Sequence, residues 1–385
     1  MQGREILAEF ARILSDPASV IRDDAVREPV KIIGHLMADV PEELVHAAGA
    51  HPFGIVLYDG TDLNRADAHL QTWACSPVRC AFGMALTGKL DFLDGLIVPV
   101  ICDTTRTVYT LWKKVRPFNF TEAFLLPRQL YRPSARNYLL GEMGRLKARL
   151  EQFTDRRITA RDLYRSIRLY NRNRALLRCL YDFHVRHPEV LGNRSVYDVI
   201  RASFLIPKEV HSDLVARLIS ALEQEAAGLK KKKEKPRVRV FVSGKLGEPP
   251  VLMDVLDQAG AVCVGDDLCT GSRYIAGDAA ENGDPYVALA DRQLDRLPAA
   301  FFANKQDRRD FMIKKVRETK ANGVIFLHLK FCEPENYDYP YLEESLRAAG
   351  IPALRLETEV GNVSLGQIRT RVGAFVEMLE EGGGR

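Results

Sequence analysis

The fold is decided by residues 75–105, which read CSPVRCAFGMALTGKLDFLDGLIVPVICDTT. Residues 76–90 have helical spacing of their apolar side chains, whereas residues 95–102 form an unbroken apolar run rich in branched side chains. Such a run is typical of a strand in a parallel sheet that helices cover on both faces. A second short apolar run, PFGIVLYDG at residues 52–60, precedes this stretch. The alternation of strand, helix and strand predicts an α/β fold.

The same alternation returns in the last part of the 385-residue chain. Residues 1–50 have a helical pattern, residues 51–132 alternate as a first α/β domain, and residues 133–235 are almost wholly helical up to the run LKKKKEK. Residues 236–385 then alternate again as a second α/β domain. We therefore predict two doubly wound, mostly parallel-sheet domains with N-terminal and central helical segments. We interpret the lysine-rich run at residues 229–235 as a solvated linker.

The composition is that of an ordinary globular protein, because 46% of the residues are hydrophobic and 28% are charged. No apolar run approaches the roughly 20 residues that a membrane-spanning helix needs. The net charge of +4 is small, and much of the basic excess lies in the lysine-rich run, so nucleic acid is not an expected partner. Charged residues interrupt the apolar residues of segment 1–14, so we expect no secretory signal and a cytoplasmic location.

Three of the seven cysteines lie where a ligand site would be expected. Cys102 and Cys332 close apolar runs at the carboxyl ends of predicted strands, and Cys75 precedes Ser76 and Pro77 at a predicted helix start. Ligands of open parallel sheets bind outside the carboxyl ends of the strands, so these thiols could face one crevice. Thiolates select zinc or iron-sulfur centres. Because no CxxC pair occurs, spacing alone leaves ligation and simple packing both open.

The other four cysteines are interpreted differently. An odd number of cysteines in a chain expected to be cytoplasmic argues against disulfides. Free cysteine is often buried as a small hydrophobe, and we expect this of Cys179 in a helix and of Cys263 in a strand. Cys80 follows Cys75 by five residues, a helical spacing that rotates it away, so packing is favoured there too. Cys269 follows a predicted strand end, and its role is left open.

Residues 75–105 resemble the segment of the 2-hydroxyacyl-CoA dehydratase and class I benzoyl-CoA reductase superfamily that carries two cysteine ligands around the core GKLDFLDG. KLGEPPVLMDVLDQAGAVCVGDDLCTGSRY at residues 245–274 resembles the start of the superfamily's second domain. NGVIFLHLKFCEPENYDYPYLEESLRAAGIPALRLETE at residues 322–359 resembles the segment with the third ligand. The resemblance extends from about residue 41 to residue 379, and it is specific in the order and spacing of its segments.

The resemblance implies that Cys75, Cys102 and Cys332 bind one 4Fe-4S cluster per chain, with the fourth iron open or held by a group other than cysteine. In length and motifs the chain is most similar to the smaller cluster-bearing subunit of ATP-dependent benzoyl-CoA reductases. A homologous cluster-bearing subunit, a separate pair of ATPase subunits that delivers electrons, and an aromatic acyl-CoA substrate are the implied partners. The sequence itself contains no phosphate-binding loop and no GxGxxG motif at a strand-to-helix turn, so we expect no nucleotide site in this chain.

Four further residues are candidates for contact with the substrate or for support of the cluster ligands. His328 lies four residues before Cys332 on the same predicted strand and could share its face, although a histidine within a buried strand is more often a core residue. Asp103 and Glu333 each follow a proposed ligand directly and could orient a loop or cap a helix. Arg273 lies in TGSRY, a recurring superfamily segment that could help the domains meet.

Three alternatives stay open from the sequence. A 2-hydroxyacyl-CoA dehydratase subunit would use the same electron route to eliminate water. A double-cubane-cluster reductase would need more ligands and would have to recruit Cys80 and Cys269. A non-catalytic protein would use its cysteines only for packing or for structural zinc.

Overall fold

The computed structural model describes residues 2–17, 30–36, 39–56, 61, 63–229, 237–245, 249–303, 307–360 and 364–382. Within these ranges, eight strands form two four-stranded sheets, and every pair of neighbouring strands in them is parallel. The predicted fold class, with two doubly wound α/β units, is therefore confirmed. Residues 230–235 of the lysine-rich run, which we interpreted as a linker, lie outside the described residues.

The first sheet has the strand order β2-β1-β3-β4. Its strands are β1 (Ile32–Leu36), β2 (His51–Ile55), β3 (Gly95–Val100) and β4 (Phe120–Leu125). Every residue of β1 and β3 is buried, because the central strands of a parallel sheet have covering elements on both faces. We call this sheet and the helices around it the first lobe.

The second sheet repeats this arrangement with the order β6-β5-β7-β8, and it defines the second lobe. Its strands are β5 (Arg239–Gly244), β6 (Val262–Asp266), β7 (Gly323–Leu329) and β8 (Ala353–Thr358). In each lobe the first and third strands in chain order are neighbours at the centre of the sheet. The direction of winding reverses between them, and the crevice at such a switch point is where open parallel sheets bind ligands.

Helices cover the sheets and connect the two lobes. The first lobe and the N-terminal segment contain α1 (Gln2–Ser15), α2 (Glu42–Ala47), α3 (Asn64–Asp67), α4 (Ser76–Leu86) and α5 (Asp103–Val115). The central helices are α6 (Pro133–Thr154), α7 (Ala160–Arg186), α8 (Asn193–Ala202) and α9 (Lys208–Gly228). The second lobe contributes α10 (Pro249–Gln258), α11 (Ser272–Ile275), α12 (Pro285–Leu294), α13 (Arg308–Thr319), α14 (Glu333–Ala348) and α15 (Leu365–Gly382). In the part of the chain that the structure describes, no helix combines the length and apolar character needed to cross a membrane.

The strands of the second lobe separate two hydrophobic cores by simple alternation. Val240 and Ile325 belong to the core that α10 and α15 cover, whereas Phe241 and Phe326 belong to the core on the opposite face, with Met312 of α13. In the first lobe, one larger core continues from the sheet into the N-terminal and central helices. Burial of apolar side chains on both faces therefore stabilises each sheet.

The sequence pattern predicts that residues 1–50 are helical throughout, and this prediction is wrong for part of the segment. α1 is present near its start, but residues 32–36 form β1, which pairs with β2 and β3 at the centre of the first sheet. A run of five residues is too short for periodicity to separate a strand from a piece of helix, so the pairing partners decide. The first sheet thus begins before residue 51, and the domain boundaries themselves stay a prediction.

We expect Gly244→Ala to destabilise the protein, because β5 and β7 approach closely at this residue. A Cβ atom at Gly244 would lie 2.4 Å from the backbone oxygen of Leu327. Forcing an extra carbon into such a site typically costs about 1–3 kcal/mol. The matched control is Gly141→Ala within α6, where a Cβ would meet nothing within 4 Å and where alanine is favoured by roughly 0.5–1 kcal/mol. Urea unfolding should shift to lower concentration for the first variant only; an unchanged midpoint would contradict the close approach.

Candidate functional site

The three cysteines selected from the sequence occupy the same position on three different helices. Cys75, Cys102 and Cys332 are the N-cap residues of α4, α5 and α14. The first N–H groups of a helix have no partner within the helix and carry positive partial charge, which favours a negatively charged group at this end. The prediction that Cys75 lies at a helix start is confirmed, although Ser76 is the first residue of α4 and not its cap.

Two of these cysteines have equivalent positions in the two lobes. Cys102 follows β3 and Cys332 follows β7, and these are the third strands of two sheets with the same order. Both cysteines therefore lie at the carboxyl ends of strands beside a switch point, where ligand sites form. The predicted positions of both residues at strand ends are confirmed.

Cys75 reaches the same place from α4, which is anchored to the second lobe. The hydroxyl of Ser76 accepts a hydrogen bond of 2.8 Å from the N–H of Val360. One turn further along, the guanidinium of Arg79 lies 3.0 Å from the carboxylate of Glu359. These contacts hold the start of α4 against the segment that follows β8.

One cavity of 330 Å³ has all three cysteines on its wall, with residues of both lobes. No group of three or more histidine, cysteine, aspartate or glutamate side chains is arranged to hold a metal ion among the described residues. Cys75, Cys102 and Cys332 thus share a cavity wall without forming a ready-made site for a single ion.

The remaining wall of this cavity combines apolar side chains with polar ones, two of which are acidic. Phe301 is buried, whereas Trp73 and Phe331 are exposed at 65% and 47%. Asp103 and Glu333 are the first residues of α5 and α14, where a carboxylate is favoured, and both are exposed on the wall. Two of the four further candidates from the sequence therefore face the cavity.

Burial makes the thiolate forms of Cys75 and Cys332 costly. It raises the pKa of Cys75 to about 12, and the neighbouring Cys102 adds to the rise. It also raises the pKa of Cys332, where the carboxyl group of Glu335 acts in the same direction. The backbone N–H groups of Val78 and Glu335 act against these two shifts. Ionisation therefore needs a further positive charge, which a coordinated metal supplies.

Sequence reasoning missed Lys245, which lies on the wall of the same cavity. This residue follows β5 directly, and its ammonium is 3.3 Å from the carboxylate of Asp39 and 3.9 Å from the centre of the Phe301 ring. Burial lowers the pKa of Lys245, but Asp39 and Cys269 raise it above its ordinary value, so the side chain is charged. A signal for it was present, because Lys245 follows the predicted strand PRVRVFVSG at the carboxyl end that marks ligand sites.

A second cavity, of 40 Å³, shares Lys245 and has Arg273 and Tyr274 on its wall. Arg273 lies on this wall and not on that of the first cavity, and its guanidinium pairs with Asp267 at 2.9 Å. The hydroxyl of Tyr274 donates a hydrogen bond of 3.0 Å to the carboxylate of Glu42. This contact joins α11 to α2, in line with the expectation that the TGSRY segment helps the two halves meet.

His328 lies in β7 and is fully buried, but it is not on the wall of the first cavity. Its ring packs edge-on against Tyr339 with 5.2 Å between centroids, and neither ring nitrogen has a hydrogen-bond partner among the described residues. β7 ends at Leu329, and Phe331 has a φ of 63°, so the chain turns before Cys332. The expected common strand face of His328 and Cys332 is therefore not formed, because the period of two applies only within a strand.

The other four cysteines lie off the wall of the first cavity. Cys80 and Cys263 are buried among apolar side chains, as the packing interpretation predicts. Cys269 lies on the wall of the second cavity. Cys179 is exposed on α7, so its predicted burial is wrong. The reason is that α7 buries the adjacent Leu180, and one residue along a helix turns the side chain by a large angle.

Two lobes with parallel sheets, and cysteines of both on the wall of one cavity, define a class of two-lobed, doubly wound α/β proteins. Comparison with known families identifies the particular one. A family model described as 2-hydroxyglutaryl-CoA dehydratase, D-component, matches residues 37–379, and the chain belongs to this family. The resemblance to the dehydratase and reductase superfamily is thereby confirmed.

Individual relatives include both reductase and dehydratase subunits. The chain is 28% identical to one of the subunits of benzoyl-CoA reductase from Thauera aromatica, over 91% of each chain. It is 30% identical to the beta subunit of lactoyl-CoA dehydratase from Anaerotignum propionicum, over 97% of this chain and 98% of the relative. It is 27% identical to the beta subunit of (R)-2-hydroxyglutaryl-CoA dehydratase from Acidaminococcus fermentans, over 97% and 99% of the two chains. The relatives are thus subunits of CoA-thioester dehydratases and reductases, similar to this chain along nearly its whole length.

We expect His328→Leu to make the fold less sensitive to acid. Burial lowers the pKa of His328 to about 4, below its ordinary value of 6.5, so the unfolded chain takes up this proton first as the pH falls. Stability from the neutral ring is complete above pH 6.5 and is lost as the pH falls towards 4, by about 2 kcal/mol at pH 5. In urea unfolding, the free energy of unfolding should fall between pH 7 and pH 5 by less in the variant than in the wild type, and the difference should be about 2 kcal/mol.

The matched control is His187→Leu, which removes a histidine whose side chain is 34% exposed. This variant should keep the acid sensitivity of the wild type, because it leaves the buried ring of His328 in place. Equal pH dependence of His328→Leu and the wild type would contradict the buried, neutral state of His328.

Proposed function

We propose that this chain is an iron-sulfur subunit of an ATP-dependent benzoyl-CoA reductase, which passes low-potential electrons to an aromatic CoA thioester and dearomatises the ring. The observation that carries the proposal is the position of Cys75, Cys102 and Cys332, which cap three helices around one cavity. The similarity to the benzoyl-CoA reductase relative from Thauera aromatica, over 91% of the chain, supports this choice of reaction.

The donor chemistry of the cavity suits a 4Fe-4S cluster. Such clusters are held by cysteine thiolates, and the three helix N-termini and the buried Lys245 supply positive charge for an anionic group. In the proposed site, Cys75, Cys102 and Cys332 hold one cluster per chain, and the fourth iron is open or held by a group other than cysteine. When bound, such a cluster supplies low-potential electrons and, at an open iron, a Lewis acid for the thioester oxygen.

The protein's own contribution is first an apolar crevice. Trp73, Phe301 and Phe331 present aromatic surface to the cavity. Excluding water protects low-potential electrons from side reactions and strengthens electrostatic interactions inside the site. The exposed rings of Trp73 and Phe331 are well placed for further apolar surface to cover them when substrate or a partner protein binds.

Two acidic side chains lie on the cavity wall beside the proposed ligands. Asp103 and Glu333 are there at the starts of α5 and α14, each next to a proposed ligand. In the proposed site they orient the loops that carry these ligands or cap the helices that follow. His328 and Arg273 lie off this wall, so we assign neither of them a contact with the reacting group.

The proposal requires further subunits. The sequence contains no phosphate-binding loop of the form GxxxxGK followed by Ser or Thr, so ATP hydrolysis is assigned to a separate pair of electron-activating ATPase subunits. A homologous cluster-bearing subunit pairs with this chain, and together they form the component that binds the aromatic acyl-CoA. We assign the complex to the cytoplasm, where free thiols are kept reduced.

A 2-hydroxyacyl-CoA dehydratase subunit is the second candidate. It is favoured by the relatives named as lactoyl-CoA, (R)-phenyllactyl-CoA and (R)-2-hydroxyglutaryl-CoA dehydratase subunits, each of which matches at least 96% of the chain. The double-cubane alternative has less support, because Cys80 is buried in the core of the first lobe and Cys269 faces the second cavity.

The cluster is tested by metal analysis of anaerobically purified protein. We expect the wild type to contain about four irons and as many acid-labile sulfides per chain, with an electron paramagnetic resonance signal after reduction. Cys102→Ala removes one proposed thiolate and should lower the iron content and alter the signal. Cys179→Ala removes an exposed cysteine of α7 and should leave both unchanged. A colourless preparation with stoichiometric zinc, or one without iron, would argue against the proposal.

The reaction is tested on the complex with its homologous subunit and ATPase pair, supplied in turn with benzoyl-CoA and with a 2-hydroxyacyl-CoA. A reductase should reduce benzoyl-CoA in fixed stoichiometry with ATP hydrolysis, as mass spectrometry of the CoA esters and phosphate release can show. The same complex built with Cys102→Ala should convert neither compound. Loss of water from the 2-hydroxyacyl-CoA, without ATP-coupled reduction of benzoyl-CoA, would replace the reductase by the dehydratase.

A further inference from the structure

Lys245 is the one cationic side chain among the described residues that line the first cavity. The side chain is 5% exposed, and it extends from the carboxyl end of β5, the strand next to β7. Cys332 follows β7, so the lysine and this proposed ligand leave neighbouring strands at the same edge of the sheet. The position brings a positive charge to the wall that carries the three cysteines.

Three contacts hold this charge in place. The ammonium of Lys245 pairs with Asp39 at 3.3 Å and lies 3.9 Å from the centre of the Phe301 ring, a cation–π distance. Its backbone oxygen accepts a hydrogen bond of 3.3 Å from the N–H of Cys269. These contacts hold both the backbone and the ammonium of Lys245. The side chain therefore cannot turn towards water, where its charge would be screened.

The charge of Lys245 is not cancelled by its partner. Asp39 is shared with Arg296, whose guanidinium also donates to the same carboxylate. Asp39 therefore divides its negative charge between two cations and offsets that of Lys245 only in part. Because Lys245 is buried, the field of its charge on the cavity is screened much less by salt than that of an exposed lysine.

We propose that Lys245 is a positioning residue whose fixed positive charge raises the reduction potential of the cluster bound by Cys75, Cys102 and Cys332. The inference rests on the proposed function. A cluster held by three thiolates becomes more negative when it takes up an electron, and a nearby buried cation stabilises the reduced form more than the oxidised form. Cluster potentials respond to charge and burial in their surroundings in this way. The electron enters the cluster, no bond is made or broken, and Lys245 keeps its proton throughout.

The test is a redox titration of the iron-loaded full chain, followed by absorbance and electron paramagnetic resonance. Lys245→Met keeps the length and the contact with Phe301 but removes the charge, and it should shift the midpoint potential of the iron-loaded protein to a more negative value. Lys245→Arg should restore most of the shift. Lys330→Met is the matched control: this lysine is two residues from Cys332, but its side chain is 45% exposed, and the potential should stay close to that of the wild type.

A second variant covers the case in which Lys245→Met fails to fold or to load iron. Asp39→Asn keeps the lysine but removes its counter-charge, and it should shift the midpoint potential to a less negative value. An iron-loaded Lys245→Met with the wild-type potential overturns this inference, and so does an Asp39→Asn potential that is unchanged or more negative. A wild-type chain that takes up no iron overturns the cluster of the proposed function, and with it this inference.

Discussion

Three cysteines at the positive ends of three helices are the arrangement on which the rest of the site depends. Cys75, Cys102 and Cys332 are N-cap residues at one cavity, and burial is the largest cause of the raised pKa of Cys75 and of Cys332. An anionic group can be held there only if positive charge offsets the loss of water. The helix N-termini and Lys245 supply that charge, and a metal would supply more.

Buried ion pairs fix the central helices to the first lobe. Lys208 at the start of α9 lies 3.0 Å from Glu42, and Arg174 of α7 lies 2.7 Å from Glu43. Glu42 and Glu43 are the first residues of α2, which follows the carboxyl end of β1 in the chain. Removing one partner of such a buried pair typically costs about 3–5 kcal/mol, because the other charge is left without compensation. The central helices therefore do more than connect the lobes, since buried ion pairs attach them to the helix that follows β1.

The equivalence of the two lobes explains why a single cavity has cysteines from both on its wall. Each sheet has its first and third strands at the centre, and each third strand leads to a capping cysteine, Cys102 or Cys332. Cys75 departs from this symmetry, because it caps α4 and is tied to the second lobe through Arg79 and Glu359. A cavity wall with cysteines from three elements and two lobes is sensitive to the relative position of the lobes.

The sequence by itself determined the α/β class, the strand ends that carry Cys102 and Cys332, and the helix start at Cys75, because these depend on local periodicity and on turn residues. Only the tertiary structure decided that residues 32–36 form a central strand, that Cys179 faces water and that His328 lies off the cavity. A short apolar run takes its conformation from its pairing partners, and the face that a helix buries depends on what packs against it. Lys245 shows the same limit of sequence reasoning. Its ion pair is with Asp39, which is 206 residues earlier in the chain and 3.3 Å away in the fold, and no local pattern predicts such a contact.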